Sequence, residues 1–287
     1  MNIKKNELMK NHTSFKIGGP ADEFCEAVSE EEVRNLIEYA KNKGIDYIVM
    51  GNGSNLLVGD KGIRGLVIKL ARGFDSTEVS GKTIKAQSGI LLSRLANTAL
   101  KHELSGLEFA SGIPGTLGGA VFMNAGAYGG EMKDVITSVT YLEDGEIRTA
   151  DKDELDFGYR RSIFCDKDAV ILSAEMSLDE SEYDKIKEMM DDFKERRTSK
   201  QPLSMPSAGS TFKRPEGFFA GKLIEDAGLK GFRIGGAEVS QKHSGFVVNA
   251  DNATARDVLG LIEHIQKTVY DKFGVKLETE VKMLGEF

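Results

Sequence analysis

Ser111-Gly112-Ile113-Pro114-Gly115-Thr116-Leu117-Gly118-Gly119-Ala120 is the stretch on which the fold turns. Met123-Asn124-Ala125-Gly126-Ala127-Tyr128-Gly129-Gly130 carries its small-residue character onward. A backbone so bare of side chains suits two tasks. It can lie directly against a large flat or phosphorylated ligand, or let a helix pack closely on a sheet. Both readings stay open at this stage. Upstream, Gly51-Asn52-Gly53-Ser54-Asn55 follows the strand-like run Tyr47-Ile48-Val49-Met50. Its glycines allow positive φ, and successive N–H groups in such a turn can form an anion nest. It is not a dinucleotide fingerprint of the Rossmann type. Leu56 stands where the last glycine belongs, and Leu56-Leu57-Val58 reads as strand rather than helix.

Working outward, periodicity and stop signals describe a mixed α+β chain. Ser29-Glu30-Glu31-Glu32 reads as a capping box before Val33, Leu36, Ile37 and Ala40 at helical spacing, with Gly44 as the stop. Leu66-Val67-Ile68, Glu78-Val79 and Thr83 to Ala86 read as strands, and Leu91 to His102 as a helix. Asp144-Gly145 marks a hairpin between Val135–Tyr141 and Glu146–Thr149. A strand at Val170–Ala174 and an amphipathic helix from Tyr183 to about Arg197 follow. Gln201 to Pro206, with two prolines, reads as a linker. Beyond it come a helix near Phe218–Ala227, strands near Gly236–Val239 and Phe246–Asn249, and a helix from Thr254 to Phe273. Leu277 to Met283 then alternates as a last strand. Strands and helices are interspersed with no regular βαβ array.

The chain has 287 residues, enough for about two domains, and carries a net charge of −7. That balance argues against nucleic acid as a partner while leaving room for a small anion held by local cations. Cys25 and Cys165 make neither a disulfide framework nor a metal-ligand spacing. No apolar run approaches a membrane span, and Met1 to Phe15 is polar, without a signal-peptide core. A cytoplasmic protein with no metal and no membrane partner is the expectation.

Three further stretches could carry chemistry. In Tyr159-Arg160-Arg161-Ser162 the arginines are either solvated or able to present a guanidinium to a carboxylate. Ser207-Ala208-Gly209-Ser210-Thr211-Phe212-Lys213-Arg214-Pro215 is either a polar loop or a hydroxyl preceded by two small residues and followed by two cations. Such a hydroxyl donates its proton only to a strongly basic carbanion, or with cations and water relays to help. Alternation in Leu277–Met283 sets Glu278, Glu280 and Lys282 on one face, as in an edge strand.

Taken in order, Asn11–Gly19, Gly51–Asn55, Ser111–Gly129, Tyr159–Ser162, Ala208–Lys213, Lys242–Phe246 and Leu277–Val281 resemble the UDP-N-acetylenolpyruvoylglucosamine reductase family across nearly the whole chain. The two glycine segments are similar to the paired pyrophosphate loops of the vanillyl-alcohol-oxidase (PCMH-type) FAD fold. The resemblance implies two FAD-binding subdomains, 1–72 and 73–195, and a C-terminal α+β substrate-binding domain, 196–287, whose last strand returns to the site. It implies FAD held without a covalent bond, since neither loop contains the His or Cys that tethers flavin in some relatives. Cofactor contacts would come from Gly51, Asn52, Gly53, Ser54, Asn55, Ser111, Gly112, Pro114, Gly115, Thr116, Gly118, Gly119, Asn124, Gly126 and Ala127.

NADPH is the implied co-substrate, and UDP-N-acetylglucosamine enolpyruvate the implied nucleotide-sugar substrate. Ser210 resembles the proton donor, Arg160 the arginine that steadies a developing enolate, and Glu280 the carboxylate that completes the site. Lys213, Arg214 and Lys200 are candidate diphosphate contacts, with Arg214 standing where the longer family form has an asparagine. The short interval from Arg160 to Ser210 resembles the shorter of two family forms, which lacks a loop bearing a substrate-contacting tyrosine. An oxidase of the same fold and a non-catalytic flavin-binding module are the competing readings.

Overall fold

A computed structural model describes residues 2–287; Met1, where the polar N-terminal segment begins, lies outside the described residues. Contacts divide the chain into two compact units. One holds Cys25–Asn52 and Ile68–Arg197; the other holds Ile3–Phe24, Gly53–Val67 and Thr198–Phe287. This division cuts across the chain-order segments 1–72, 73–195 and 196–287.

The first unit is built on an antiparallel sheet of five strands. Their order is Glu146–Asp151, Ile136–Glu143, Ala169–Ser177, Thr83–Gln87, Thr77–Ser80. The expected hairpin joins the first two: Asp144 and Gly145 have φ of 53° and 81°. Left-handed φ at both positions matches the right-handed twist of the strands they connect. The helix Leu92–Lys101 buries Leu92, Leu95, Ala96 and Ala99 in the same core as Ile84, Ala86 and Ala174 from the sheet.

The helix Glu30–Lys43 starts where Ser29 Oγ accepts the Glu32 N–H (3.1 Å) and stops at left-handed Gly44. The Glu32 carboxylate reaches one residue further than a capping box requires, to the Val28 N–H at 3.0 Å. The strand Tyr47–Met50 forms as expected, but only Met50 is buried; the other three side chains are half-buried.

In the second unit, Lys4–Leu8 pairs antiparallel with Pro20–Phe24. A three-stranded sheet (Arg233–Ile234, Ala237–Val239, Val247–Asn249) shares its core with the helix Ala255–Phe273. Val258, Leu261, Ile262, Ile265 and Val269 of that helix are buried, each stabilising by about 1.5–3 kcal/mol relative to exposure.

The alternating tail does not form one strand. Thr279 makes an isolated bridge to Phe212, and only Lys282–Leu284 pairs regularly, in parallel with Leu56–Val58. The segment changes partner midway, so its alternation does not continue. Leu277 and Val281 are buried but Met283 is exposed.

The long C-terminal helix is capped twice. Thr254 and Asp257 form a capping box, and the Thr254 N–H bond holds the Asp257 carboxyl below its ordinary pKa. Asp60, far away in sequence, accepts from the N–H groups of Ala255 (2.7 Å) and Arg256 (3.0 Å). Such charge-assisted bonds satisfy donors that the helix itself leaves unpaired. Asp60→Ala therefore lowers stability by about 2 kcal/mol, read as a shift in the urea midpoint at unchanged slope.

Candidate active site

In the first unit Gly51 and Asn52, which open the first glycine segment, meet Pro114 and Thr116 of the second. The Asn52 side chain donates to the Pro114 carbonyl at 2.8 Å. A Cβ on Gly51 would stand 2.0 Å from Thr116 Oγ1, so only glycine allows this approach. The helix Leu117–Phe122 begins directly after, its start fixed by the N–H groups of Leu117 and Gly118 donating to Ile90 O (2.9 Å) and Ser88 O (2.8 Å).

The two tasks that a bare backbone can serve are here divided residue by residue. Gly118 serves packing: a Cβ there would come within 2.9 Å of Ser88 Cβ. Gly112 lies under Arg197, which donates to the Gly112 carbonyl, and Gly126 lies against Glu131 and Gly130. Gly119 is different. It is exposed, and a Cβ there would meet only Thr116 Oγ1, at 3.9 Å.

Among the described residues, no acceptor pairs with the N–H groups of Asn52, Gly53 or Ser54. A run of N–H groups without acceptors fits a diphosphate, and a bare glycine facing open space fits a flat ring system. The residues present thus fit FAD. Neither loop contains a cysteine or histidine to tether it.

Other candidates in this unit have protein partners. Asn124 is fully buried, and its amide donates to Glu131 Oε2 (3.1 Å) and Gly158 O (3.0 Å) and accepts from the Lys133 N–H (2.9 Å). Ser111 Oγ donates to Glu108 O at 2.7 Å. Gly126 and Ala127 pair with Glu131 and Gly130 in a short hairpin whose turn is Tyr128-Gly129.

The paired arginines separate. Gly158 and Arg161 exchange backbone hydrogen bonds of 3.0 and 3.3 Å, putting Tyr159 and Arg160 at the tip of a tight turn. Arg161 turns outward to Asp166 (2.9 Å) and Asp156 (3.5 Å). Arg160 is half-buried, donates to Gly126 O at 3.4 Å and lies 5.0 Å from the Tyr159 ring. Its φ of 56° is a left-handed conformation that an arginine adopts only when its surroundings enforce it.

In the second unit the structure brings Ser210 and Glu280 together through the backbone. Thr211 O accepts the Glu280 N–H (2.9 Å), and Lys213 donates its N–H to Glu278 O (2.8 Å). Ser210 is exposed and follows Gly209, whose φ is 79°; Glu280 is half-buried. Thr211 is buried and locked: its hydroxyl accepts from Val247 N–H (2.9 Å) and its N–H donates to Gly245 O (2.9 Å). The Lys213 ammonium pairs with Glu278 at 3.1 Å, and the Arg214 guanidinium sits 4.1 Å from the Phe219 ring. Lys200 ends the helix Tyr183–Lys200, exposed.

Sequence reasoning missed Arg197 and the protein partners of Asn55. The Asn55 side-chain amide donates to Glu280 O (3.1 Å), and the Asn55 backbone carbonyl accepts from Lys282 N–H (2.9 Å). No local pattern announces contacts between residues so far apart.

The loop bracing Thr211 contains His243, whose Nδ1 accepts from the Gly245 N–H at 3.1 Å. Burial pushes its imidazole below the ordinary value of 6.5. The folded state thus prefers the neutral ring. This contribution is whole above the unfolded pKa and is lost as pH falls from there toward the folded value. The urea midpoint is expected to fall between about pH 7.5 and about pH 5.5, and less so in His243→Asn. For the glycine loops, Gly51→Ala weakens FAD retention by about tenfold or more, and a second change, Thr116→Ala, restores much of it by removing the clashing hydroxyl. Flavin fluorescence titration reads both.

Residues 21–151 match a family model described as an FAD binding domain, and residues 201–284 match the UDP-N-acetylenolpyruvoylglucosamine reductase C-terminal domain. The UDP-N-acetylenolpyruvoylglucosamine reductase of Caldanaerobacter subterraneus subsp. tengcongensis is 56% identical over 282 residues, covering 98% of this chain and 93% of that protein. That of Clostridioides difficile is 54% identical over 285 residues, covering 99% and 94%. The crystal structure of the Thermus caldophilus reductase is similar with a TM-score of 0.88 at 37% identity, covering 99% of each chain. With its paired glycine loops and the backbone ladder between Thr211–Lys213 and Glu278–Glu280, the chain belongs to the UDP-N-acetylenolpyruvoylglucosamine reductase family.

Proposed function

We infer that this protein reduces UDP-N-acetylglucosamine enolpyruvate to UDP-N-acetylmuramate, a step of peptidoglycan precursor synthesis, at the expense of NADPH and through non-covalently bound FAD. The observation that carries the reading is the ladder that fixes Glu280 beside the Ser210 segment, inside the part of the chain that matches the reductase C-terminal domain. FAD, when bound, supplies two-electron chemistry between NADPH and the enolpyruvyl group. In this reading, segments 1–72 and 73–195 hold the cofactor, 196–287 holds the nucleotide sugar, and the reaction takes place in the cytoplasm.

The chain's own residues do the rest. Adding hydride to the vinyl terminus leaves an electron pair on the carbon next to the carboxylate, delocalised into it as an enolate. That carbon is basic enough to take a proton from the Ser210 hydroxyl, which is inert toward weaker bases. A fixed guanidinium stabilises the spreading negative charge more than it stabilises the neutral double bond, and so lowers the barrier. Arg160 suits that role because its constrained turn holds it half-buried, while Arg161 is spent on surface carboxylates. Glu280 shares the enolate proton or orients a water. Lys213 and Arg214, which follow Ser210, carry positive charge suited to the substrate diphosphate, and Lys200 adds a cation at the helix end.

In Ser210→Ala the protein stays yellow, but substrate-dependent NADPH oxidation falls by about 10²–10⁴ in kcat. Turnover near that of the wild type would remove Ser210 from the mechanism. A wild-type protein that ignores the enolpyruvate and consumes oxygen instead would point to an oxidase.

A further inference from the structure

We propose that Asn55 is a positioning residue that ties the cofactor loop to the strand bearing Glu280, so that filling the loop fixes Glu280. The idea rests on the reading above, in which the loop takes the FAD diphosphate and Glu280 acts on the substrate. Glu280 is gripped by both of its backbone groups. Its N–H donates to Thr211 O (2.9 Å), and its carbonyl accepts from the Asn55 side chain (3.1 Å). Asn55 also takes the Lys282 N–H on its own carbonyl (2.9 Å), so a single residue brackets buried Val281 from both sides. The regular parallel ladder begins one residue later, at Leu56↔Lys282. The Asn55 amide thus stands in for a further rung that backbone alone does not supply.

The residues directly before Asn55 are in the opposite situation. The N–H groups of Asn52, Gly53 and Ser54 have no acceptor among the described residues, and Gly53 has a φ of 63°. The loop is anchored by the Asn52 side chain on Pro114 O (2.8 Å) and by Gly53 O, which accepts from the Ser14 N–H (3.3 Å), but its own donors are satisfied only when an anion accepts them. An anion there restricts Ser54, and with it the backbone of Asn55. The amide of Asn55 is committed to Glu280 O, so it belongs to the positioning of the acid–base strand rather than to direct contact with the cofactor. Binding at the loop and order at Glu280 are thereby coupled, and coupling of this kind is reciprocal.

Amide hydrogen exchange on apoprotein and FAD-loaded protein tests this, in wild type, Asn55→Ala and Asn55→Asp. Asp has the size of Asn but only accepts, so it serves if the alanine variant fails to fold. In wild type, FAD is expected to slow exchange both at Asn52–Ser54 and at Glu280–Lys282. Each protein is loaded with FAD to saturation, so that occupancy is equal in wild type and variants. In the variants the slowing at Glu280–Lys282 shrinks by about fivefold, the worth of one hydrogen bond, while that at Asn52–Ser54 remains. Equal slowing at Glu280–Lys282 in wild type and in both variants overturns the proposal. FAD binding that leaves the wild-type Asn52–Ser54 amides unchanged overturns the reading of the loop itself, and is seen at different residues.

Discussion

The pairing of Leu56–Val58 with Lys282–Leu284 is the constraint on which the second unit depends. It is parallel, with Leu56, Leu57 and Val58 opposite Lys282, Met283 and Leu284. The same two segments continue through Gly59 N–H to Leu284 O (2.9 Å) and Lys61 N–H to Glu286 O (3.1 Å). No short turn can make a parallel pair, so the chain must first cross the whole intervening sequence. Leu57 and Val58 are fully buried, and a Cβ on Gly59 would come within 2.1 Å of Glu286 O. Hydrophobic burial holds the pair in place, and a missing side chain lets the backbones close.

From that pairing, placement of the acidic group follows outward. Lys282 is fixed by Asn55, Val281 is buried, and Glu280 is held by Thr211 and Asn55. Thr211 is in turn braced by Gly245 and Val247. The segment after Ser210 and the segment bearing Glu280, far apart in sequence, are therefore joined by backbone hydrogen bonds. Backbone bonds of this kind fix where the residues stand along the chain, the sort of rigid support that precise geometry needs.

The first unit solves a different problem: it offers bare backbone to a large ligand without losing its own packing. Gly51 and Gly118 are small because protein atoms press on them, at Thr116 and Ser88. Gly119 is small with nothing of the protein pressing on it. Sequence alone makes these glycines equivalent, and only the surroundings separate packing from ligand approach. The two arginines show the same thing. Arg161 finds two carboxylates at the surface, while the turn at Gly158 holds Arg160 half-buried with φ of 56°.

What the sequence determined by itself is what short-range physics encodes. The cap at Ser29, the stop at Gly44, the Asp144-Gly145 turn and the apolar face from Val258 to Val269 are all local, and all are present. The ordered series of motifs likewise identified the family and marked the glycine loops, Arg160, Ser210 and Glu280 as candidates. The tertiary structure alone decided the rest. It broke the alternating tail into a bridge and a short strand, half-exposed Tyr47–Val49, gave Asp60 to a distant helix, and committed Asn124 and Asn55 to protein partners. The physical reason is range. Caps, turns and periodicity depend on neighbours a few residues away, whereas strand pairing and hydrogen bonds from asparagine and aspartate side chains depend on which distant backbone arrives alongside.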